Sequence, residues 1–416
     1  MIPQLSHYKE KWHVQSDAAI KPGLTAITEA LALVGNPEQA LPTVHLAGTN
    51  GKGSTVTFLE AIVKEHGLRV GKFISPCIMD VHDQIQVAGQ AISEAAMDDV
   101  FQQMQEAGLS GKLTDFELLT VAAFLHFVNN KVDIALIEAG MGGLLDSTNV
   151  VTPIVSIIPS IALEHTQFLG DTLTSIAHHK AGIIKPQRPV IIGNLPEDAK
   201  DVVYRQATEK NAAIFELGHH FSVAETSQGE CYTNKKHSYQ VLNLLRSMKG
   251  SHQANNMALA ITAFLEVAAT LKVELSAIAI RKAVKEATIL GRFEEIMPFI
   301  IVDGAHNPAS VEKLVETIKQ EFPNEQLTFV VGILADKDVK QILRLLEQVS
   351  DDFYFVDFDN PRAMTAQNLL ELSKATNKAV LVDYAQFLQH QSANKHRTIV
   401  AGSLYLLTAV RNCLMF

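Results

Sequence analysis

The stretch from 44 to 55 limits the possible folds of this chain more than any other part of the sequence. A short apolar run ends at Ala47, the residues Gly-Thr-Asn-Gly-Lys-Gly-Ser-Thr follow at 48–55, and apolar residues then recur at helical spacing. Glycines allow backbone N–H groups to turn toward a polyphosphate, and the start of a helix adds a favourable dipole. The stretch therefore predicts a phosphate-binding loop between a buried strand and a helix.

The loop carries the side chains that phosphate binding needs. Lys52 can reach the outer phosphates, and a hydroxyl of Ser54 or Thr55 can hold Mg²⁺. Gly53 stands where the general pattern places the hydroxyl residue directly after the lysine. An ordinary tight turn is the alternative. We favour the phosphate loop because strand, loop and helix occur together.

Composition excludes several classes of protein. Of the 416 residues, 47% are hydrophobic and 19% are charged, which is typical of a well-packed soluble enzyme. The net charge of −10 disfavours nucleic acid and anionic membrane surfaces as partners. Cys77, Cys231 and Cys413 are too scattered for a disulfide framework or a zinc site. We also find no signal peptide and expect the apolar runs to be too short, or too interrupted by charge, to span a bilayer, so we expect a cytoplasmic protein.

The order of predicted elements defines the fold class. Strands near 70–74, 132–137, 154–158 and 189–193 alternate with helices, which predicts a mostly parallel, doubly wound α/β sheet. Residues 215–250 are more polar and predict a small layer of strands or a hairpin. The alternation restarts at Phe299, which predicts a second, smaller Rossmann-like α/β domain. We place the two domains at 1–290 and 291–416.

Six short motifs occur in order along the chain, and together they resemble folylpolyglutamate synthase. The resemblance includes the bifunctional dihydrofolate synthase form of that enzyme, within the Mur ligase superfamily, and covers nearly the whole chain. The motifs are Gly-Thr-Asn-Gly-Lys-Gly-Ser-Thr (48–55), Lys-Ala-Gly-Ile-Ile-Lys (180–185), His-Gln-x-x-Asn (252–256), Gly-Arg-Phe-Glu (291–294), Asp-Gly-Ala-His-Asn-Pro (303–308) and Asp-Lys-Asp (336–338).

The resemblance implies an ATP-dependent ligase that adds L-glutamate to a folate or to dihydropteroate. ATP phosphorylates a carboxylate, and the amino group of glutamate attacks the acyl phosphate, so catalysis consists mainly of positioning and cation placement. Two Mg²⁺ ions are implied. Their implied protein ligands are Ser54, Thr55, Ser75, Glu138 and His165. For His165 alone, a structural histidine is the alternative. We expect a monomer.

The same resemblance assigns the nucleotide-binding residues. They are Asn50, Gly51, Lys52, Gly53, Ser54, Thr55, Asn256, Arg292 and Asp303, and His306 is a candidate to contact ATP or glutamate. An interdomain ion pair is the alternative for Arg292. Because these residues fall on both sides of the predicted domain boundary, we expect ATP in an interdomain cleft. Lys52, Lys180 and His306 are the expected catalytic residues.

Lys180 and the acceptor site carry two further expectations. In the superfamily the lysine of the Lys-Ala-Gly-Ile motif is typically carbamylated by CO₂, which requires a neutral, partly buried amine. A solvated surface lysine is the alternative. The resemblance also implies that Phe116 and Asp146 contact the acceptor, although a helix cap and a core phenylalanine explain the segment around Phe116 equally well.

This chain departs from the family pattern at several positions. Cys77, Gln84 and Leu144 replace a histidine and two arginines, and Glu164 replaces an aspartate. Pro159 and Ala162 replace a threonine and a glycine. These changes keep open a second class of function, a non-catalytic or substrate-shifted paralogue that binds ATP or folate without efficient turnover. A third class, a general phosphate-loop NTPase or switch, leaves the C-terminal motifs without a use.

Overall fold

The computed structural model describes residues 2–77 and 79–415, and the chain forms two compact units. One unit contains residues up to 247 together with 254–287, and the other contains 248–253 together with residues from 288 onward. The domains expected from sequence, 1–290 and 291–416, differ from these units at 248–253 and at 288–290. Each unit has its own sheet and its own hydrophobic core.

The first unit is built on an eight-stranded sheet. The strands of the unit are β1 (Ser16–Asp17), β2 (Thr43–Leu46), β3 (Val70–Phe73), β4 (Ile85–Val87), β5 (Gln90–Ala91), β6 (Leu113–Thr114), β7 (Ile134–Glu138), β8 (Val155–Ile158), β9 (Val190–Ile192), β10 (Ile214–Glu216), β11 (Phe221–Thr226), β12 (Gly229–Asn234) and β13 (Tyr239–Leu244). The unit also contains a two-stranded sheet, β1-β6, and a three-stranded sheet, β11-β12-β13. The main sheet has the order β10-β9-β8-β2-β7-β3-β4-β5. Its first six strands are parallel, and β4 and β5 add an antiparallel edge. The predicted mostly parallel sheet is confirmed.

Helices cover this sheet, and a small antiparallel sheet follows its last strand, β10, along the chain. The helices are α1 (Leu5–Lys11), α2 (Thr25–Leu33), α3 (Lys52–Glu65), α4 (Glu94–Glu106), α5 (Asp115–Asn129), α6 (Thr166–Leu169), α7 (Leu173–Ala181), α8 (Glu197–Glu209), α9 (Ser251–Leu271) and α10 (Ala277–Glu286). The capping box between Thr114 and Glu117 defines the start of α5. The predicted hairpin layer is the antiparallel sheet β11-β12-β13.

Helix α9 corrects one expectation drawn from sequence. It has 21 residues and a mean hydropathy of 1.3 in its most apolar window, so by length and composition it could cross a membrane. However, 72% of that window is buried inside the protein. The expectation that no apolar run is long enough is therefore wrong, and the burial of α9 identifies it as a core helix.

The second unit repeats the α/β plan on a smaller scale. Its elements are β14 (Glu294–Met297), β15 (Ile300–Asp303), α11 (Pro308–Glu321), β16 (Thr328–Val331), α12 (Val339–Leu346), β17 (Asp352–Phe355), α13 (Ala366–Leu372), β18 (Asn377–Val380), α14 (Tyr384–Ala393), β19 (Thr398–Ala401) and α15 (Leu404–Met415). The sheet order is β14-β15-β19-β16-β17-β18, and β14 alone pairs antiparallel. Apolar clusters pack on both faces of this sheet. The predicted second α/β domain is confirmed.

Close packing between β3 and α5 yields a test of the first core. A Cβ atom on Gly71 would lie 2.7 Å from Cδ1 of the fully buried Phe127. We expect Gly71→Ala to lower the free energy of unfolding by about 1–3 kcal/mol, because the ring has no space to move. Phe127→Leu should relieve part of that cost, so denaturant unfolding of the double variant should give less than the sum of the two single losses. Strictly additive losses would contradict this packing.

Candidate functional site

Four neighbouring parallel strands bring the predicted site residues to one edge of the first sheet. The strands are adjacent in the order β8, β2, β7 and β3, and all four run in the same direction. Glu164 and His165 follow β8, the phosphate loop follows β2, Glu138 ends β7, and Ser75 follows β3. The carboxyl ends of parallel strands form the usual ligand-binding edge of such a sheet.

The phosphate loop has the geometry expected from its glycines. Gly51 adopts a left-handed φ of 86°, and α3 begins at the next residue, Lys52. Ser54 and Thr55 lie buried in the first turn of that helix. The N–H groups of a first helical turn have no partner within the helix, so this end of α3 can bind an anion.

Lys52 lies between the loop and the end of β7. Its Nζ donates to the carbonyl oxygen of Gly48 at 3.0 Å and lies 3.7 Å from Oε1 of Glu138. Both side chains are largely shielded from solvent, with exposed fractions of 16% for Lys52 and 5% for Glu138. The loop therefore carries an ion pair between an ammonium and a carboxylate that are both largely shielded from solvent.

Asn256 on α9 lies beside the same loop. A Cβ atom on Gly51 would come within 2.6 Å of Oδ1 of Asn256 and within 3.2 Å of Cβ of Pro159. Residue 51 must therefore lack a side chain both for its backbone conformation and for this contact. The structure thus brings Gly51 and Asn256, two predicted nucleotide-binding residues, together.

Lys180 is buried, and its amine loses its proton more easily than an exposed lysine does. Only 2% of the residue is exposed, on α7. Burial and, to a smaller extent, the nearby charge of Lys52 lower the pKa of Lys180 from its usual value to about 7. The carboxylates of Glu164 and Asp146 oppose this shift. The alternative of a solvated surface lysine is wrong. A large fraction of the Lys180 amine is neutral at physiological pH.

Asp146 uses its carboxylate to hold the loop that follows β7. It accepts hydrogen bonds from the backbone N–H groups of Met141, at 2.8 Å, and Thr148, at 3.0 Å. The hydroxyl of Thr148 also donates to it at 2.5 Å and lies 2.9 Å from Nε2 of the buried His45. Burial raises the pKa of Asp146, while these donors oppose the shift. Its carboxylate therefore has a structural task in this structure.

Phe116 is a half-buried ring beside the predicted acceptor region. It stacks on Phe73 with 5.6 Å between ring centroids, and it occupies the space where a Cβ atom of Gly140 would lie. A cavity of about 610 Å³ is lined by residues from the segments 15–26 and 111–117. Gly23 in its wall donates its N–H to the carbonyl oxygen of Leu145, the residue before Asp146. Neither Phe116 nor Asp146 lines the cavity, but Phe116 precedes the lining residue Glu117 and Asp146 follows Leu145, the partner of Gly23.

The donor set at this edge suits Mg²⁺ better than a transition metal. Among the described residues, no group of three or more His, Cys, Asp or Glu side chains is arranged to hold a metal ion. Thr55 does have a buried hydroxyl with no hydrogen-bond partner in the described part of the chain. Mg²⁺ typically binds few protein oxygens and fills its other positions with water and substrate phosphate. The residues therefore fit Mg²⁺ that arrives with a nucleotide.

Three predicted residues cluster within the second unit. Asp303 at the end of β15 accepts hydrogen bonds from the backbone N–H groups of Phe293 and Ala305, both at 2.8 Å. Burial raises the pKa of Asp303, while the charges of Arg292 and His306 oppose the shift. A Cβ atom on Gly304 would collide with Nη1 of Arg292. The structure thus brings Arg292, Asp303 and His306 together.

Two departures from the family pattern have local structural accounts. Leu144 packs on Gly182, where a Cβ atom would lie only 2.4 Å from Cβ of Leu144, and it donates its N–H to His179 at 2.7 Å. Burial raises the pKa of the Cys77 thiol to about 12, with Asp83 adding to the shift, so this thiol stays neutral. Neither side chain can replace a cation.

Sequence reasoning missed Ser160. Its hydroxyl contacts the phosphate loop at Asn50, in both directions, at 2.9 Å. A single serine two residues beyond a strand has no periodic or motif signal, so only the folded structure reveals the contact. Thr49 makes an equivalent contact from the loop side.

Comparison with known proteins identifies the family. Residues 46–264 match the Mur ligase middle domain, and residues 291–404 match the glutamate ligase domain of Mur ligases. The dihydrofolate synthase/folylpolyglutamate synthase of Bacillus subtilis is 34% identical over 415 residues, which covers 96% of each chain. The folylpolyglutamate synthase of Lacticaseibacillus casei is 33% identical over 405 residues, which covers 94% of each.

A solved structure supports the same relationship across the full length. The structure of E. coli FolC in complex with DHPP and ADP matches with a TM-score of 0.89 and 30% identity, covering 99% of this chain and 98% of that one. Fold, chain length and sequence therefore agree. This protein belongs to the folylpolyglutamate synthase and dihydrofolate synthase family of the Mur ligases.

Proposed function

We propose that this protein is an ATP-dependent amide ligase that joins L-glutamate to the carboxylate of a folate, through an acyl phosphate. Dihydropteroate is a second acceptor, because the relatives named above include bifunctional enzymes. Its free cysteines and acidic composition support a location in the cytoplasm. That the protein acts as a monomer remains a prediction.

One observation carries the proposal: the shielded Lys52 ammonium, held 3.7 Å from Glu138 at the mouth of a phosphate loop. Phosphoryl transfer spreads negative charge over the transferring group, so it requires a cation placed in advance. Lys52 supplies that cation. Its bond to the carbonyl of Gly48 holds the ammonium at the loop before a nucleotide arrives.

The protein's own groups divide the work around Lys52. The first turn of α3 binds phosphate oxygens, and Asn256 beside Gly51 contacts the base. Mg²⁺, when bound, neutralises charge on the phosphates, and the residues that would hold it are Ser54, Thr55, Ser75, Glu138 and His165. Arg292 and Asp303 in the second unit contact the nucleotide, and His306 contacts ATP or glutamate.

The acceptor is proposed to bind in the first unit. A cavity of about 610 Å³ is within the range for a small-molecule site, and its walls include Lys21 and Lys112. The ring of Phe116 offers an aromatic face close by in sequence for a pteridine. Asp146 positions the loop that adjoins this cavity and is proposed to contact the acceptor.

Lys180 is proposed to carry a carbamate. CO₂ reacts with a neutral amine, and the pKa of Lys180 near 7 leaves much of the amine neutral at physiological pH. The carbamate converts a cation into an anion, which would help to hold the second Mg²⁺. The neighbouring Lys52 supports this assignment, because an anion beside Lys52 would gain the attraction that the ammonium lacks. The carboxylates of Glu164 and Asp146 would repel the carbamate, and a bound Mg²⁺ would offset that repulsion.

The ligase proposal predicts a substrate-dependent release of phosphate. ATP cleavage by the purified protein should require both glutamate and an acceptor, with dihydropteroate and tetrahydrofolate tested separately. Lys52→Ala should lower kcat by at least about a hundredfold, because it removes a charge contact to the transferring phosphoryl group. Phosphate release followed by a coupled assay, with product mass measured in parallel, checks both statements.

Lys64→Ala is the matched control for this test. Lys64 lies on the same helix as Lys52 but near its far end, so the charge change is equal and the phosphate loop is untouched. The variant should keep wild-type turnover. ATP binding without any acceptor-stimulated turnover in the wild type would instead support the non-catalytic paralogue that Leu144 and Cys77 suggest.

The carbamate predicts a distinct pH and CO₂ dependence. Because the folded-state pKa of Lys180 is lowered to about 7, its amine is mostly neutral above pH 7 and mostly protonated below it. Enzyme stripped of CO₂ should therefore regain activity with bicarbonate at pH 8 but little at pH 6. Crystallographic density should extend beyond Nζ of Lys180 as a planar group.

Lys180→Arg separates the carbamate from simple positive charge. The guanidinium stays protonated and cannot react with CO₂, so this variant should be inactive at every bicarbonate concentration. An unmodified Lys180 ammonium in the density, together with wild-type activity independent of bicarbonate, would disprove the carbamate and leave the ligase proposal intact.

A further inference from the structure

Two hydroxyl groups clasp the phosphate loop to the segment that follows β8. Ser160 Oγ accepts a hydrogen bond from the N–H of Asn50 and donates one to its carbonyl oxygen, both at 2.9 Å. Thr49 Oγ1 accepts from the N–H of Ala162 at 3.0 Å and donates to its carbonyl oxygen at 3.1 Å. Each hydroxyl thus satisfies both backbone polar groups of one residue on the opposite segment. We call this set of four bonds the hydroxyl clasp.

The phosphate loop and the segment after β8 pack closely at the clasp. A Cβ atom on Gly48 would lie 3.0 Å from Cδ of Pro159 and 3.4 Å from the carbonyl oxygen of Ser160. The N–H of Thr49 also donates to that carbonyl at 2.9 Å. The two segments are therefore in direct contact at these residues, and a shift in one displaces the other.

The clasped segment leads directly to the charged residues beside Lys180. Only Leu163 separates Ala162 from Glu164, and His165 follows. Glu164 is close enough to Lys180 to raise its pKa against the effect of burial. The position of Glu164 and His165 relative to the phosphate loop is therefore set at Ser160 and Ala162.

Regular sheet pairing does not extend this far. Strand β8 pairs with β2 only up to Leu46 and Ile157. Beyond that pair, two backbone bonds join the segments, from the N–H of Ala47 to Ile157 and from the N–H of Thr49 to Ser160. The hydroxyls of the clasp add four bonds to the backbone of Asn50 and Ala162. These four bonds are part-buried, and removal of either hydroxyl would break two of them.

We propose that Thr49 and Ser160 are positioning residues that hold Glu164 and His165 at a fixed distance from the phosphate loop. The inference rests on the proposed function, because the spacing matters only if the two segments act on one phosphoryl transfer. Each hydroxyl already donates its single proton, so neither residue is assigned a proton-transfer role. Because of the clasp, the phosphate loop and the residues beside Lys180 move together.

Amide hydrogen exchange on the protein without ligands tests the clasp directly. In the wild type, the amides of 49–50 and 160–166 should open together. In Ser160→Ala and Thr49→Val, exchange over 160–166 should accelerate by roughly tenfold, the effect of losing hydrogen bonds of ordinary strength, while the body of α3 stays unchanged. Thr49→Ser keeps the hydroxyl and should restore slow exchange.

Ser156→Ala provides the matched control. Ser156 lies on β8 and donates its hydroxyl to the carbonyl of Ile183 at 2.9 Å, so the variant loses one buried hydrogen bond but leaves the clasp intact. It should lower the melting temperature about as much as Ser160→Ala does. Exchange over 160–166 should remain slow. Equal acceleration in both variants would show a general loss of stability and would overturn the proposal.

Turnover supplies the second readout. A small displacement of groups around a reacting centre can cost about 10- to 100-fold in rate, so Ser160→Ala should lower kcat by that amount. The KM for ATP should change less than about threefold, since the loop and Lys52 remain. A kcat equal to that of Ser156→Ala would contradict a positioning role. Should the wild type fail to turn over any acceptor, the ligase proposal fails, and the exchange experiment still decides whether the clasp exists.

Discussion

The parallel register of β2 with its two neighbours is the constraint on which the rest of the first unit depends. Leu46 pairs with Glu138 on one side and with Ile157 on the other. This register ends three strands at one level, so the phosphate loop emerges between a carboxylate and the segment that carries Glu164. Backbone hydrogen bonding thus brings the strand ends of the site together, and the hydroxyl clasp acts on the loops that follow them.

The two lysines of the site lie in different surroundings. Lys52 is shielded but paired with Glu138, and it donates to Gly48, so its ammonium is well supported. Lys180 lies deeper, and burial together with the charge of Lys52 lowers its pKa to about 7. Two lysines in one low-dielectric region do not both retain a proton easily. The arrangement leaves much of the Lys180 amine neutral and therefore open to chemistry.

The features that could be predicted from sequence are those that depend on residues close together in the chain. The phosphate loop, the alternating α/β order and the start of α5 depend on local patterns, and the sequence predicted all three. The apolar length of α9 is a local property, but its place in the core depends on distant residues and becomes visible only in the folded structure. The hydroxyl clasp joins Asn50 to Ser160, 110 positions apart, and Thr49 to Ala162, 113 positions apart, and has no local signature. The burial of Lys180 likewise becomes visible only when α7 packs on the sheet.

The acidic composition adds a further condition to the chemistry. A chain of net charge −10 repels anionic substrates at long range, so ATP, a folate and glutamate need local cations. The candidate cations each have a carboxylate neighbour, Glu138 for Lys52 and Asp303 for Arg292. Such pairing keeps the cation oriented. Substrate anions must then compete with these carboxylates, and Mg²⁺ bound with ATP would shift that competition by attracting Glu138 away from Lys52.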